Sequence, residues 1–122
     1  MKQHHCVTEE GEHFLLYEND EGVHICPVCG SAELAAPAYN NNGLPSFQMC
    51  SCEFEYGYDD SPLASSRAVK GGLQKNWEVW RKRVIQRSSH LPESLAKCES
   101  NLKNIGIVLA YDLIPVQKGQ NT

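Results

Sequence analysis

The sequence predicts an α+β fold in which a small β unit packs against two C-terminal amphipathic helices and a final strand. Three observations predict it: two pairs of closely spaced cysteines in turn-like segments, an apolar stripe of helical spacing after residue 72, and a short apolar run near the C-terminus. A chain of 122 residues has the length of one domain with a modest core. We divide the predicted domain, residues 1–122, into an N-terminal hairpin at 1–24, a cysteine-bearing β unit at 25–62, and a helical hairpin with a terminal strand at 63–122.

The first half of the chain is predicted to form short strands joined by turns. "EHFLLYE" and "GVHI" are separated by the turn-like "NDEG", which indicates a hairpin that leads into "CPVCG". Asn42 followed by Gly43 is a strong turn signal, and we expect a strand to run from this turn into the second cysteine pair.

Two amphipathic helices are predicted in the second half. In the first, from about Gly72 to Ser88, apolar side chains recur at helical offsets. The second begins near Pro92, a residue suited to the first helical turn, and ends at Gly106. The segment that follows, "IVLAYDLIPV", is predicted to be the final strand. The two apolar stripes consist of Leu73, Trp77, Trp80 and Val84, and of Leu91, Leu95, Cys98, Leu102 and Ile105.

Cysteine content and the absence of export signals indicate the class of protein. The first twenty residues lack the apolar stretch of a signal peptide, and the longest apolar run, residues 105–110, is far too short to cross a bilayer. We therefore expect a cytoplasmic protein without a membrane partner. Six cysteines would stay reduced there, so clustered cysteines favour metal binding or catalysis over disulfides.

The formal charge of −4 is unevenly distributed along the sequence. Residues 1–30 carry one lysine and six carboxylates, a net charge of −5. Residues 67–87 carry seven basic side chains and one glutamate, a net charge of +6. Such asymmetry bears on the choice of partners rather than on the fold.

Four cysteines form the candidate metal site: Cys26, Cys29, Cys50 and Cys52. Two tight pairs on two turns are the arrangement by which a zinc ribbon presents four thiolates to one structural Zn²⁺. The second pair has only one intervening residue where ribbons usually have two, so either its turn is tighter or a histidine such as His24 replaces Cys52. Iron also accepts a tetrahedral sulfur site, and a chain without metal is the plainer alternative.

Other chemistries compete for the same cysteines. "CPVC" also resembles a glutaredoxin-like redox motif, but that motif needs a helix N-terminus, and the surrounding hairpins provide none. A zinc deaminase needs His-x-Glu and Pro-Cys-x-x-Cys, and neither is present. A catalytic zinc needs an open position, which four thiolates would fill.

The remaining chemistry-bearing residues have structural interpretations. We expect the carboxylates Glu53, Glu55, Asp59 and Asp60 to be solvated on the outer face of a strand or to cap turns. We expect Cys98, Trp77 and Trp80 to be core residues, and the arginines of the first helix to be solvated or to complement the acidic strand. We expect Cys6, beside His4 and His5, to lie near a mobile terminus that can have accidental metal affinity but builds no structural metal site.

An ordered set of motifs resembles small bacterial zinc-ribbon proteins of the CPxCG type. These motifs are "CPVCG", "FQMCSCEFEYGYDD", "NWEVWRKR" and "NLKNIG", and the resemblance covers about residues 25 to 107. In that group the second pair usually has two intervening residues, which makes Cys52 the least secure ligand. Related cysteine-rich ribbons look like immunity proteins that neutralise toxins in bacterial competition, and the resemblance implies that role here.

The expected function is therefore non-enzymatic binding of a protein partner, with a toxin domain as the partner that the resemblance implies. An acidic surface favours fast encounter with a basic toxin. The alternative is a nucleic-acid or transcription-associated zinc-ribbon adaptor, for which residues 67–87 supply positive charge. A pI near 5.7 argues against this alternative, since phosphate binding favours a basic protein.

Overall fold

Four antiparallel strands in the order β1-β2-β3-β4 form the sheet of the protein, of which the computed structural model describes residues 1–109. The strands are β1 at Lys2–Val7, β2 at His13–Glu18, β3 at His24–Ile25 and β4 at Ala32–Leu34. Two helices follow, α1 at Leu73–Ser88 and α2 at Pro92–Lys103. This arrangement confirms the predicted α+β class.

Strand β1, like the short strand β4, was not predicted from the sequence. It pairs with β2 along its whole length, from Lys2 opposite Glu18 to Val7 opposite His13. Cys6 faces inward and is only 1% exposed, so the expectation of a mobile terminus is wrong. Desolvation raises the pKa of the Cys6 thiol, so the thiol keeps its proton. A neutral cysteine packs as a small apolar side chain, which suits this buried position.

The predicted hairpin before the first cysteine pair is present. β2 pairs with β3, and the connecting turn closes through the backbone hydrogen bond from Asn19 to Val23. The Asn19 side chain also accepts hydrogen bonds from the backbone of Glu21 and Val23, which is the turn chemistry of asparagine.

The segment between β4 and α1 differs from the prediction. The turn at residues 40–43 forms, closed by the Gly43 backbone N–H donating to the Asn40 carbonyl. The strand predicted to follow it is absent from the described chain, and only two isolated bridges occur, Tyr39 with Pro45 and Met49 with Glu55. Turns that close within a few residues leave too little extended backbone for a ladder.

Both helices have the predicted positions. Pro92 stands in the first turn of α2, where its missing N–H has no intrahelical partner to lose. The helix ends in a Schellman motif: Gly106 has φ +80°, and the Gly106 and Ile107 amides donate to the carbonyls of Lys103 and Leu102. Within the described residues, neither helix combines the length and apolar character needed to span a membrane.

The core joins the sheet, the cysteine-bearing segment and helix α1. Trp77 and Trp80 are 5% and 6% exposed, which agrees with their predicted role as packing anchors. A smaller cluster, which includes Cys98, packs helix α2 beside β3. Of the predicted final strand, residues 107–109 have no strand conformation, and the rest lies outside the described residues.

Candidate metal centre

The fold brings the four predicted cysteines into one cluster. The Sγ atoms of Cys29 and Cys50 are 3.5 Å apart and those of Cys26 and Cys52 are 4.0 Å apart, with all four sulfurs within 4.8 Å of one another. A tetrahedral ion with Zn–S bonds of 2.3 Å has sulfur–sulfur edges of roughly 3.8 Å, so one ion fits the cluster. Every one of the four residues is at most 8% exposed.

The first knuckle, residues 26–31, is a turn closed by two backbone hydrogen bonds. The amide of Cys26 donates to the carbonyl of Ser31, and the amide of Gly30 donates to the carbonyl of Cys26. Gly30 has φ +81°, a left-handed conformation that favours glycine. This turn places both of its cysteine sulfurs on the side of the cluster.

Gly30 has a second reason to be glycine. A Cβ at this position would lie 2.7 Å from the backbone carbonyl carbon and oxygen of Asn101 in helix α2. Helix α2 therefore approaches the knuckle as closely as backbone allows. The sequence around Gly30 gives no signal for this contact, because Asn101 lies about seventy residues further along the chain.

The second knuckle, residues 50–54, repeats the first with one residue fewer. The amide of Cys50 donates to the carbonyl of Phe54, and the amide of Glu53 donates to the carbonyl of Cys50. Each hydrogen bond spans one residue less than its counterpart in the first knuckle. Glu53 takes the left-handed position with φ +72°. The tighter turn still brings Cys52 to the cluster.

His24 does not take the place of Cys52. It lies on β3 opposite Glu18 of β2 and belongs to a different group of side chains, whereas the sulfur cluster contains the four cysteines alone among the described residues. The chemistry available at the cluster is therefore that of four sulfurs.

Adjacent residues of helix α1 hold one knuckle each. The indole N–H of Trp80 donates to the carbonyl of Cys52 at 3.0 Å. The guanidinium of Arg81 donates to the carbonyls of Pro27 at 2.6 Å and Val28 at 2.7 Å, the two residues between the first pair of cysteines. Arg81 was expected to be solvated, and its role here is a correction that required knowledge of the helix packing.

The sheet contributes a third restraint through Glu33 in β4. Its carboxylate accepts hydrogen bonds from the backbone amide of Ser51, and from the Ser51 hydroxyl at 2.7 Å. Ser51 is the single residue between Cys50 and Cys52, so the shortened knuckle is tied to the strand that follows the first one.

A buried tyrosine contacts the cluster directly. The hydroxyl of Tyr56 lies 2.6 Å from Sγ of Cys26, and Tyr56 is fully buried. As a thiolate, Cys26 accepts this hydrogen bond from the tyrosine. Burial and the neighbouring sulfur charge both raise the pKa of Tyr56, so the phenol keeps its proton and remains a donor.

Four thiols this close cannot all ionise without a cation. Burial raises the pKa of the Cys26 thiol, but hydrogen bonds from the other three thiols and Tyr56 outweigh burial and lower it. The interaction with Cys26 raises the pKa of Cys50, but the interactions with Cys29 and Cys52 outweigh it and lower that pKa to about 7. Neighbouring sulfurs raise the pKa values of Cys29 and Cys52. A divalent ion bound to all four sulfurs lowers all four pKa values, because its charge stabilises the four thiolates together.

The acidic residues Glu53, Asp59 and Asp60 differ in their exposure to solvent. Glu53 is exposed and forms an ion pair with Arg87 of α1 at 2.9 Å, as the expected complement between the basic helix and the acidic segment. Asp59 and Asp60 are 5% and 8% exposed, so the expectation of a solvated strand face is wrong for both. Asp59 accepts a hydrogen bond from the Glu55 amide, which is a turn-capping role.

Asp60 belongs to a buried polar network instead. Its carboxylate accepts hydrogen bonds from the Tyr39 hydroxyl and the Gly57 amide, and the Trp77 indole donates to the Tyr39 oxygen at 3.1 Å. Desolvation raises the pKa of Asp60, while these hydrogen bonds counteract that rise. The network joins the segment after the second knuckle to helix α1, and sequence spacing gives no signal for it.

No family model, curated protein or solved structure matches this chain. The resemblance to CPxCG-type zinc ribbons therefore stays a prediction. The geometry supports the coarser statement that four cysteines are positioned to hold a metal ion.

Proposed function

We propose that the four cysteines hold one structural Zn²⁺ and that the metal-organised chain is a non-enzymatic protein-binding module. Four sulfurs fill a tetrahedron, which leaves no coordination position for water or substrate. Because the ligands must lose their protons and the site does not exist in the unfolded chain, metal binding supplies folding free energy. Zinc suits this role because it has no redox chemistry.

The observation that carries the binding role is the apolar surface of the segment around the second knuckle. Large apolar side chains that are normally buried are here exposed to solvent within residues 44–63, the segment that contains the second knuckle and the buried aspartates. A concentrated set of such side chains is typical of a protein interaction surface. The exposed side chains are Leu44, Phe47, Met49, Tyr58 and Leu63.

Charge supports a basic protein as the partner. Four thiolates and one Zn²⁺ together add −2, which takes the formal charge from −4 to −6. Acidic inhibitors meet basic toxins faster through electrostatic steering. With the resemblance to ribbon proteins that look like immunity proteins, this favours neutralisation of a basic toxin domain as the specific function.

The burial of both tryptophans favours a protein partner over nucleic acid. A stacking platform for bases needs an exposed aromatic face. Trp80 instead packs against Phe54, and the guanidinium groups of Arg67 and Arg83 each lie 5.5 Å from its ring centroid. The arginines of residues 67–87 are thus partly engaged with the protein itself.

The metal part of the proposal is tested by elemental analysis of the freshly purified protein. We expect one zinc per chain, and we expect Cys26→Ser to lose the metal and its cooperative unfolding. Cys98→Ser is the matched control, because Cys98 is also buried but lies in a separate cluster. Iron in place of zinc, or equal metal content in the two variants, would contradict it.

The binding part is tested by affinity capture from the source cells, followed by a growth assay with the captured protein. We expect a basic partner whose expression arrests growth and whose effect this chain reverses. Phe47→Asn should abolish both capture and protection, since asparagine tolerates the left-handed φ of +60° but removes the exposed ring. Leu91→Asn, which removes an exposed leucine elsewhere, should leave both intact. A partner whose toxicity this chain does not reverse would reject the immunity role.

A further inference from the structure

Strands β1, β2 and β3 bring a second set of metal-ligating side chains together. Its donor atoms are nitrogen and oxygen, whereas those of the cysteine cluster are sulfur. Glu18 of β2 is the register partner of His24 of β3 and also of Lys2 of β1. His4 lies two residues after Lys2 in β1, so it lies on the same face of the sheet as Lys2, one diagonal step from Glu18. This is the face whose continuation, at Cys6 and Phe14, enters the core.

The donor atoms of this group are close enough to share one ion. Nε2 of His4 lies 2.9 Å from Oε1 of Glu18, and one ligand atom from each of His4, Glu18 and His24 lies within 4.8 Å of the others. Two imidazole nitrogens and one carboxylate oxygen bind a divalent transition metal at about 2.0 to 2.2 Å each. Small side-chain rotations bring atoms at these separations onto a common ion.

We propose that His4, Glu18 and His24 form a second metal site, which binds Zn²⁺ or another divalent transition metal such as Ni²⁺ independently of the four cysteines. The donor set has the nitrogen and oxygen atoms that suit these ions, and histidine is their commonest ligand. The carboxylate already accepts a hydrogen bond from His4, and a metal ion takes the place of that shared proton.

This site differs from the sulfur cluster in access and in coordination number. The side chains of His4 and Glu18 are 32% and 18% exposed, so an ion reaches them directly from solvent. Three protein ligands leave at least one coordination position for water or for a side chain from another molecule. The bound ion is therefore exchangeable and open to exogenous ligands, in contrast to an enclosed four-sulfur ion.

Local charge favours a cation here. Residues 1–30, the segment that supplies all three ligands, carry a net charge of −5, and Lys2 is the only lysine or arginine of that segment. The N-terminal ammonium lies 2.9 Å from the carboxylate of Asp20 and pairs with it rather than with Glu18. An acidic surface raises the local concentration of divalent cations.

The test is calorimetric titration of Zn²⁺, and separately of Ni²⁺, into full-length protein that already holds its cysteine-bound ion. We expect one further equivalent to bind the wild type. His24→Ala and Glu18→Gln should each weaken this second affinity by at least about tenfold, while the tightly bound ion is retained. Circular dichroism of each variant shows whether the sheet is intact.

His5→Ala is the matched control, because His5 lies on the same strand but pairs with His13 at 3.0 Å on the opposite face. We expect this variant to bind the second ion as the wild type does. Nitrogen-15 spectra of the histidine rings should show metal-induced shifts at His4 and His24. Loss of second-ion binding in His5→Ala with retention in His24→Ala would overturn the assignment, as would the absence of saturable binding to the wild type.

Discussion

The two cysteine knuckles perform the same task with turns of different length. In the first, the closing hydrogen bonds run from Cys26 to Ser31 and from Gly30 to Cys26; in the second, they run from Cys50 to Phe54 and from Glu53 to Cys50. The residue in the left-handed conformation moves with the closing bond, from the fifth position of the turn to the fourth. A turn of this kind can therefore lose one residue between its cysteines and still bring both sulfurs to the cluster.

The knuckles also differ in what surrounds them. The first is packed under helix α2 at Gly30 and capped by Arg81, whereas the second is held by Trp80 and Glu33 and leaves Glu53 exposed. Crowding by helix α2 excludes any side chain at Gly30, while solvent accommodates one at Glu53. Context therefore decides which left-handed position needs glycine.

The largest expected effect among the turn variants is that of Gly30→Ala. The new Cβ would lie 2.7 Å from the backbone of Asn101 in a residue with φ +81°, so steric overlap and backbone strain add. We expect the free energy of unfolding to fall by about 2–5 kcal/mol. Urea unfolding of the zinc-loaded protein measures it, with Gly11→Ala, whose φ is +91° but whose surroundings are open, as the control. Equal losses at the two glycines would show that helix α2 does not crowd the knuckle.

A smaller effect is expected when either clamp from helix α1 is removed. Trp80→Phe deletes the hydrogen bond to the Cys52 carbonyl, and Arg81→Met deletes those to Pro27 and Val28. Each leaves buried carbonyls without donors, so we expect losses of about 1–3 kcal/mol.

The same two variants should release zinc to a colorimetric chelator faster than the wild type does. Lys82→Met, which alters the next residue of the helix, is the control, because the Lys82 ammonium lies 3.8 Å from Glu78 in an exposed pair. Zinc release at the wild-type rate from both variants would mean that helix α1 does not hold the knuckles.

Glu12→Gln tests how the helix that clamps both knuckles is itself positioned. The Glu12 carboxylate, in the turn between β1 and β2, accepts hydrogen bonds from the Leu73 and Gln74 amides at the N-terminus of α1. It acts as a remote N-cap, and we expect the substitution to cost about 1 kcal/mol at neutral pH.

The cost of Glu12→Gln should depend on pH. Partial burial raises the pKa of Glu12, but the hydrogen bonds from Gln74 and Leu73 outweigh it and leave the pKa below 4.5, its ordinary value. A lowered folded-state pKa means that the stabilisation is complete above the ordinary value and is lost as pH falls through the folded one. The difference in urea midpoint between wild type and variant should therefore shrink below pH 4.5, and a difference that does not change with pH would contradict the cap.

An effect similar in size to that of Glu12→Gln is expected from the choice between glycine and alanine at position 53. Both substitutions remove the ion pair with Arg87, but only glycine relieves the left-handed φ of +72°. We expect Glu53→Gly to be more stable than Glu53→Ala by about 1 kcal/mol, the reverse of the order at an ordinary position. Chemical unfolding of the pair measures it, and a more stable alanine variant would show that the shortened turn does not need this conformation.

Features with local signals were predictable from the sequence. The cysteine pairs, the Asn42-Gly43 turn, and the boundaries of helix α1 follow from spacing, turn chemistry and periodicity, and the structure has them. Strand β1 gave no such signal, because its residues are largely polar and only Cys6 is fully buried. Strand β1 forms because it pairs with β2 along its whole length, although its composition does not favour a strand.

Features that depend on distant partners were not predictable. The buried carboxylate of Asp60 accepts a hydrogen bond from Tyr39, which is twenty-one residues earlier in the chain. The Arg81 guanidinium donates to carbonyls more than fifty residues away instead of being solvated. His4 and His24 meet Glu18 only through strand register. Spacing within one segment carries no information on any of these contacts.

X-ray absorption at the zinc edge of the protein in solution tests the four-sulfur centre most directly. We expect four sulfur scatterers at about 2.3 Å and no lighter atom in the coordination shell, when the protein holds one zinc per chain. Three sulfurs with one nitrogen or oxygen at about 2.0 to 2.2 Å would contradict it, because the shortened knuckle would then have failed to deliver Cys52.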